Sequence, residues 1–335
     1  MIRIGMIGMG FMGRVHFEAY AKLPIAHVVA IADKDPKRAG GDLSGVWGNL
    51  GDGISKVLPM DRINGTTRWA DLLAMPEIDV IDVCMPTPTH VEIVLAALSA
   101  GKHVLCEKPL ARSAAEAQRI AQAAASAKGF FMPAMCMRFW PEWEWLAEAV
   151  RDGRYGKVRS AAFTRLASCP EGWYRDGSLS GGGLLDLHVH DVDFIYHLFG
   201  KPRGVFSRGF SCVSGEIDYV VSQYLFDNGP IVSAAGSWCN SAGTPFTMRY
   251  TVQFERATVD YDLSREQTLM AYHDGQAEPI ETASHNGYVG ELGYFLDCVA
   301  TGRRPQRVTA DDAVVGLRIV EAEKQSVESG NAADV

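Results

Sequence analysis

The segment Gly8-Met-Gly-Phe-Met-Gly13 spaces three glycines as G-x-G-x-x-G. That spacing lets a strand turn tightly into a helix, lets backbone approach a pyrophosphate with no Cβ in the way, and lets the helix pack closely on the strand. Free N–H groups at the helix start, around Phe11 and Met12, would face the anion. Asp33 lies 20 residues after Gly13, where a carboxylate accepts from the hydroxyls of an adenine ribose. Together these features point to a dinucleotide. Asp33 repels a 2′-phosphate and favours NAD, while Lys34, Lys37 and Arg38 beside it keep NADP open. Pro86-Thr-Pro-Thr-His90 and Glu107-Lys108-Pro109 each follow an apolar run, so both are expected at strand carboxyl ends that face the nicotinamide. Pro86, Thr87, His90, Glu107 and Lys108 therefore join Gly8, Gly10, Phe11, Met12, Gly13, Asp33 and Lys34 as expected cofactor contacts. A lysine at that place is a candidate proton donor, its pKa depressed by burial beside the cofactor.

The elements that must position these groups alternate between strand and helix. Residues 2–7, 27–32, 80–85 and 103–106 read as strands, and 12–22, 90–100 and 113–128 as helices, the pattern of β-α-β units on a parallel sheet. Residues 39–67 are Gly-rich, with weak helical potential at 54–58. They read either as a loop or flap beside the adenosine end of the cofactor or as a surface insertion without a role. After residue 158, strands follow one another without helices, at 159–166, 204–213, 218–226, 231–238, 246–254, 257–263 and 268–273. An antiparallel or mixed sheet is expected there, closed by helices at 290–300 and 309–329. The fold class is thus an α/β Rossmann domain over 1–128, followed by an α+β domain over 129–335.

Composition limits the partners. The net charge is −8, from 32 basic against 40 acidic residues, which repels nucleic acid and anionic membrane and leaves a small molecule as the expected partner. No apolar run reaches spanning length and the start of the chain lacks a secretory pattern, so a cytoplasmic location is expected. Seven scattered cysteines without C-x-x-C spacing read as reduced buried thiols. His188-Val-His190-Asp191-Val-Asp193 is rich in metal-ligating types, yet the two histidines diverge on a helix; no metal is expected and His188 reads as a packed or interface residue.

Taken together, GMIGMGFMGRVH (5–16), PTPTH (86–90), AGKHVLCEKPLA (100–111), GRYGKV (153–158), SGGGLLDLHVHDVDFIYHLFG (180–200) and GYVGELGYFLDCVATGRRP (287–305) resemble the Gfo/Idh/MocA family of oxidoreductases. The resemblance covers nearly the whole chain. It implies a second domain with a large, open, mostly antiparallel sheet, which often builds a homodimer or homotetramer, and a catalytic trio at Lys108, Asp186 and His190. The residues themselves agree: Asp186 and His190 are four apart on a segment that reads as a helix start, and an imidazole can take the proton of a hydroxyl as hydride leaves the same carbon. The activity implied is NAD(P)-dependent hydride transfer to or from a secondary alcohol carbon of a sugar, inositol or related polyol. Two rivals remain, an NAD-dependent glycosidase working by transient oxidation and a non-catalytic dinucleotide sensor. Arg138 occupies the place of a substrate-side arginine, although the usual preceding His-Asn is here Cys136-Met137. Arg165, Trp173, His285 and Tyr288 are further substrate candidates, alongside Asp186 and His190.

Overall fold

A computed structural model describes residues 1–46 and 57–335. The chain divides into two compact units. Unit 1 comprises Met1–Ala111, Ala115–Cys136 and Asn286–Ala313; unit 2 comprises Arg112–Ala114, Met137–His285 and Val314–Val335.

Unit 1 opens with β1 (Ile2–Ile7), α1 (Phe11–Tyr20), β2 (Ala26–Ala32), α2 (Pro36–Ala39), β3 (Asn64–Thr66), α3 (Trp69–Leu73), β4 (Val80–Val83), α4 (His90–Ser99), β5 (His103–Glu107), α5 (Ala114–Ser126) and β6 (Phe131–Ala134). Among the described residues its strands form one parallel sheet in the order β3-β2-β1-β4-β5-β6. β1 and β4 are buried almost throughout, as strands covered on both faces must be, and their apolar runs are continuous for that reason. The register sets the site: Ile7 lies opposite both Ala32 and Val83, and Val83 lies opposite Cys106. Gly8, Asp33, Cys84 and Glu107 therefore leave the sheet along one carboxyl edge, where ligands of such sheets gather.

Unit 2 contains α6 (Pro141–Asp152), β7 (Val158–Leu166), α7 (Gly177–Ser180), α8 (Gly182–Asp186), α9 (Val189–Phe199), β8 (Gly204–Phe210), β9 (Tyr219–Leu225), β10 (Ile231–Ser237), β11 (Thr247–Phe254), β12 (Thr258–Asp262), β13 (Leu269–His273) and β14 (Gln276–Pro279). α10 (Gly287–Thr301) then returns to unit 1, before α11 (Ala310–Ser329) and β15 (Ala333–Asp334). The sheet runs β14-β13-β12-β11-β7-β10-β9-β8-β15 and is antiparallel except where β10 pairs with β7. Strands such as β9 and β11 alternate buried and exposed residues, so one face carries the core. On that face the Trp143 ring of α6 is enclosed by Phe163, Phe194, Tyr250 and Tyr261 at centroid separations of 4.7–6.3 Å.

Several expectations need correction. The boundary at residue 128 differs from the observed division, because β6 extends the parallel sheet beside β5 and α10 packs on α1. The segment 39–67 is not wholly a loop: α2 ends in it and β3 pairs with β2. Its expected helical turn at 54–58 falls partly outside the described residues, and Val57 bridges to Asp42. The cysteines are not all reduced. Cys212 and Cys239 form a disulfide, their Cα atoms 6.0 Å apart. They meet because Asp218 gathers the backbone N–H groups of Cys212, Val213 and Ser214 on its carboxylate, and the Asp218 carbonyl accepts from Trp238 N–H, the residue before Cys239. No helix among the described residues is long and apolar enough to cross a membrane.

Candidate active site

In unit 1 the glycines of the first turn behave as their spacing requires, each for a different reason. Gly8 has φ +95°, and a Cβ there would lie 2.4 Å from the Cys84 carbonyl oxygen. A Cβ on Gly13 would lie 2.0 Å from the Gly8 carbonyl oxygen, so this position holds helix against strand. Gly10, the N-cap of α1, has no atom within 4 Å of where its Cβ would stand. That open space fits an anion, and the first N–H groups of α1 point out of the helix beside it. Asp33, only 6% exposed, accepts from Met9 N–H at 2.8 Å through Oδ2 and from Asp35 N–H and Arg38 Nη2 at 2.9 Å through Oδ1. The carboxylate is thus pinned to the glycine turn. Lys34 is exposed, and Arg38, not Lys34, neutralises Asp33. These residues fit a bound dinucleotide: the backbone of the turn for its pyrophosphate, Asp33 for its ribose.

At the ends of β4 and β5 the expectations divide. Pro86 and Lys108 are half-buried and present surface, as cofactor neighbours must. Thr87 and His90 do not, at 1% and 0% exposure, and are corrected to structural residues. His90 places Nδ1 3.0 Å from the Pro109 carbonyl and Nε2 2.7 Å from the Met85 carbonyl; burial lowers its pKa, and the neutral ring donates to one of the two. Glu107 is also buried, and its Oε2 accepts from Lys108 N–H at 3.0 Å. Its expected contact with cofactor is likewise replaced by a contact with the loop that follows it.

In unit 2, Asp186 ends α8 and His190 stands near the start of α9, so they do not share one continuous helix as expected. The break arises because both Leu187 and His188 N–H return to the Gly183 carbonyl, at 3.1 and 2.9 Å, and a new helix then starts from the His188 carbonyl. Gly181 and Gly182 have φ of +82° and +72°, and a Cβ on Gly182 or Gly183 would strike the Ile217 or Asp218 carbonyl at 2.7 or 2.6 Å. The glycine run therefore exists to seat α8 on the entry to β9. Asp186 is 7% exposed and His190 is half-buried. His188 is fully buried, 3.2 Å from both Tyr224 Oη and Glu323 Oε1, in space that Gly236 leaves open: the packed histidine expected.

Two substrate candidates are corrected by burial. Arg138, 3% exposed, makes a bidentate pair with Asp193 at 2.9 and 2.6 Å. Arg165, also 3% exposed, grips Asp191 at 2.9 and 3.0 Å and lies over the Trp143 ring. These guanidinium groups fasten α9 from beneath. Trp173 is half-buried against Tyr174, His285 is exposed, and Tyr288 is buried in unit 1 against His16, 6.2 Å between ring centroids. Sequence reasoning passed over His16, which sits between Asp82 and Glu107. The signal was available: an aspartate inside the apolar run VIDVCM needs a buried partner.

Comparison with known proteins agrees with this architecture. Residues 2–135 match the oxidoreductase family profile with an NAD-binding Rossmann fold, and residues 143–260 match the GFO/IDH/MocA C-terminal domain. The sequence is 29% identical to a myo-inositol 2-dehydrogenase of Thermotoga maritima, over 98% of this chain and 96% of the relative. It is 26% identical to an inositol 2-dehydrogenase of Rhizobium meliloti, over 97% of each chain. A levoglucosan dehydrogenase solved with NADH and levoglucosan shares the fold at a TM-score of 0.85 and 23% identity, covering 100% of this chain and 99% of that one. GenD2 from gentamicin A biosynthesis, solved with NAD, has a TM-score of 0.82 at 26% identity, with 100% and 96% covered. With both profiles matched, one on each half of the sheet architecture described above, the chain belongs to the Gfo/Idh/MocA family of oxidoreductases, and its first unit is an NAD-binding Rossmann fold.

Proposed function

We propose that this oxidoreductase moves a hydride between the nicotinamide and a secondary alcohol carbon of a sugar, inositol or related cyclic polyol. The observation that carries the reading is the pairing of a glycine turn left open at Gly10 with a lysine, Lys108, half-buried on the same carboxyl edge of the sheet. When bound, NAD supplies the redox step itself. The chain supplies position and protons. Backbone N–H groups at the start of α1 hold the pyrophosphate and Asp33 the ribose, which favours NAD over NADP. Lys108 binds and polarises the reacting hydroxyl, His190 takes its proton, and Asp186 accepts a hydrogen bond from a neighbouring hydroxyl. Names of the relatives support the polyol class: inositol for two of them and an anhydrosugar for a third.

The test is a panel of inositols, aldoses, sugar acids and their keto forms, followed by the absorbance of reduced nicotinamide. Net reduction of NAD by at least one polyol is expected. A glycosidase would instead release a sugar with no net change in the cofactor, and a sensor would bind dinucleotide and turn over nothing.

A further inference from the structure

We propose that His16 is a positioning residue for the lysine loop: an imidazolium held between Asp82 and Glu107 that fixes the Glu107 carboxylate and, through it, the backbone at Lys108. The inference rests on the reading of Lys108 as the lysine that acts on the substrate hydroxyl.

His16 projects from α1 and is fully buried. Its Nδ1 lies 2.9 Å from Asp82 Oδ2 on β4, and its Nε2 lies 3.0 Å from Glu107 Oε1 at the end of β5. A carboxylate only accepts hydrogen bonds, and a neutral imidazole carries a single N–H. One of the two contacts would then set a lone pair against an anion in a buried site, so both ring nitrogens carry protons. The second oxygen of Glu107 accepts from Lys108 N–H at 3.0 Å. Asp82 thus holds the ring by a hydrogen bond, and Nε2, which makes no hydrogen bond among the described residues, meets the Glu107 carboxylate at ion-pair distance; that carboxylate in turn takes the lysine N–H. Beyond the lysine, His90 Nδ1 lies 3.0 Å from the Pro109 carbonyl.

The other groups around the ring favour the charge. Cys84 Sγ is 3.4 Å from Nδ1 and 3.5 Å from Asp82 Oδ1. Burial pushes its thiol far up, as it does the hydroxyls of Tyr20 on α1 and Tyr288 on α10, so all three are neutral near pH 7. Burial opposes a proton on His16, but Cys84 and then Asp82, by charge and by hydrogen bond, outweigh that and hold its pKa well above the ordinary value. With the thiol neutral, the Asp82 carboxylate is what retains it. The donor atoms of His16, Asp82 and Cys84 lie within 4.8 Å of one another, a set that could also hold a cation. The 2.9 Å separation of Nδ1 and Oδ2 is the length of a hydrogen bond, and a protonated thiol is a poor ligand, so the hydrogen-bonded network is the better account.

The experiment pairs His16→Gln with Lys108→Met in the full chain, measuring NAD affinity, KM for the polyol and kcat, with metal content and ring protonation measured on the wild type. His16→Gln is expected to leave NAD affinity and KM within about threefold while lowering kcat about 10- to 100-fold, the scale of a small misplacement of a reacting group. A merely structural defect would lower the active fraction without this split once active sites are counted. If Lys108→Met abolishes turnover while His16→Gln matches the wild type, the positioning role is overturned and the reading of Lys108 stands. If Lys108→Met itself turns over normally, the reading of Lys108 fails, and the positioning role with it. Should His16→Gln not fold, nitrogen-15 NMR of the wild-type ring decides: two ring N–H groups at pH 8 are expected, and a neutral ring overturns the proposal. One equivalent of bound metal lost in Cys84→Ser would overturn it as well.

Discussion

Unit 1 places its candidate groups within a residue or two of the ends of β1, β2, β4 and β5, where the strand register alone brings Gly8, Asp33 and Glu107 to one edge. Unit 2 places Asp186 and His190 on either side of a helix break, and the supports for that break come from far along the chain: Asp218 beneath Gly183, Asp191 on Arg165, Asp193 on Arg138. The difference is between a site made mostly by backbone and one made by side chains gripping side chains. A backbone site tolerates changes of side chain and fails on an added Cβ. A side-chain site fails when one partner of a buried pair is lost.

The largest expected effect tests the second half of that statement. Arg165→Met leaves Asp191 as an uncompensated buried charge, and the cost is expected at about 3–5 kcal/mol, read as a large fall in melting temperature. A mutant that melts with the wild type would show that the pair carries no load and that α9 is held by its other contacts, Arg138–Asp193 among them. In unit 1 the sharpest contrast lies between two glycines. Gly13→Ala must displace the Gly8 carbonyl 2.0 Å away and should lower both stability and cofactor affinity. Gly10→Ala meets no protein atom, so stability should stay within about 0.5 kcal/mol of wild type while NAD affinity falls by about tenfold or more. Isothermal titration together with thermal melts separates the two, and an unchanged NAD affinity in Gly10→Ala would remove the pyrophosphate from that place.

Asp33→Ser is expected to weaken NAD and relieve the repulsion of NADP, with Arg38, released from its 2.9 Å pair, and Lys34 left to meet the phosphate. The ratio of kcat/KM for the two cofactors checks it. A wild type that prefers NADP by about tenfold would contradict the assignment. Smallest are two stability effects of opposite sign. The folded pKa of His16 is raised, so its contribution is complete below the unfolded value near 6.5 and is lost as pH rises through the folded value. Asp218 is desolvated, yet hydrogen bonds from Ser214, Val213 and Cys212 lower its pKa; its contribution holds above the unfolded value of 3.8 and is lost as pH falls through the folded one. Melting curves across pH should therefore lose their alkaline decline in His16→Gln and part of their acid decline in Asp218→Asn. A curve shape unchanged in either variant would remove that residue from the account.

What the sequence revealed follows the same division. β1 was legible to the residue, and the strands and helices around it to within a few, because each is an apolar run ended by Gly, Asp or Pro. β3 is three residues long and polar, and β6 contains Pro133, which reads against a strand but is tolerated at the sheet edge where β6 lies. The roles of Arg138 and Arg165 were misread because their partners lie 55 and 26 residues away, and no spacing rule reaches so far. The disulfide between Cys212 and Cys239 was hidden for the same reason, its cysteines lying 27 positions apart. His16 was hidden differently: a histidine on a helix announces nothing until two carboxylates are brought to its ring.

The central claim, that Lys108 serves a proton-coupled hydride transfer on a polyol, is tested most directly by Lys108→Met assayed with saturating NAD and the best substrate of the panel. Loss of about 10²- to 10⁴-fold in kcat is expected, the usual scale for a general acid or base, with NAD affinity held within a few fold because the glycine turn and Asp33 are untouched. A mutant that reduces NAD at the wild-type rate would contradict the claim, and a mutant that loses NAD binding in step with turnover would place Lys108 in the cofactor site alone.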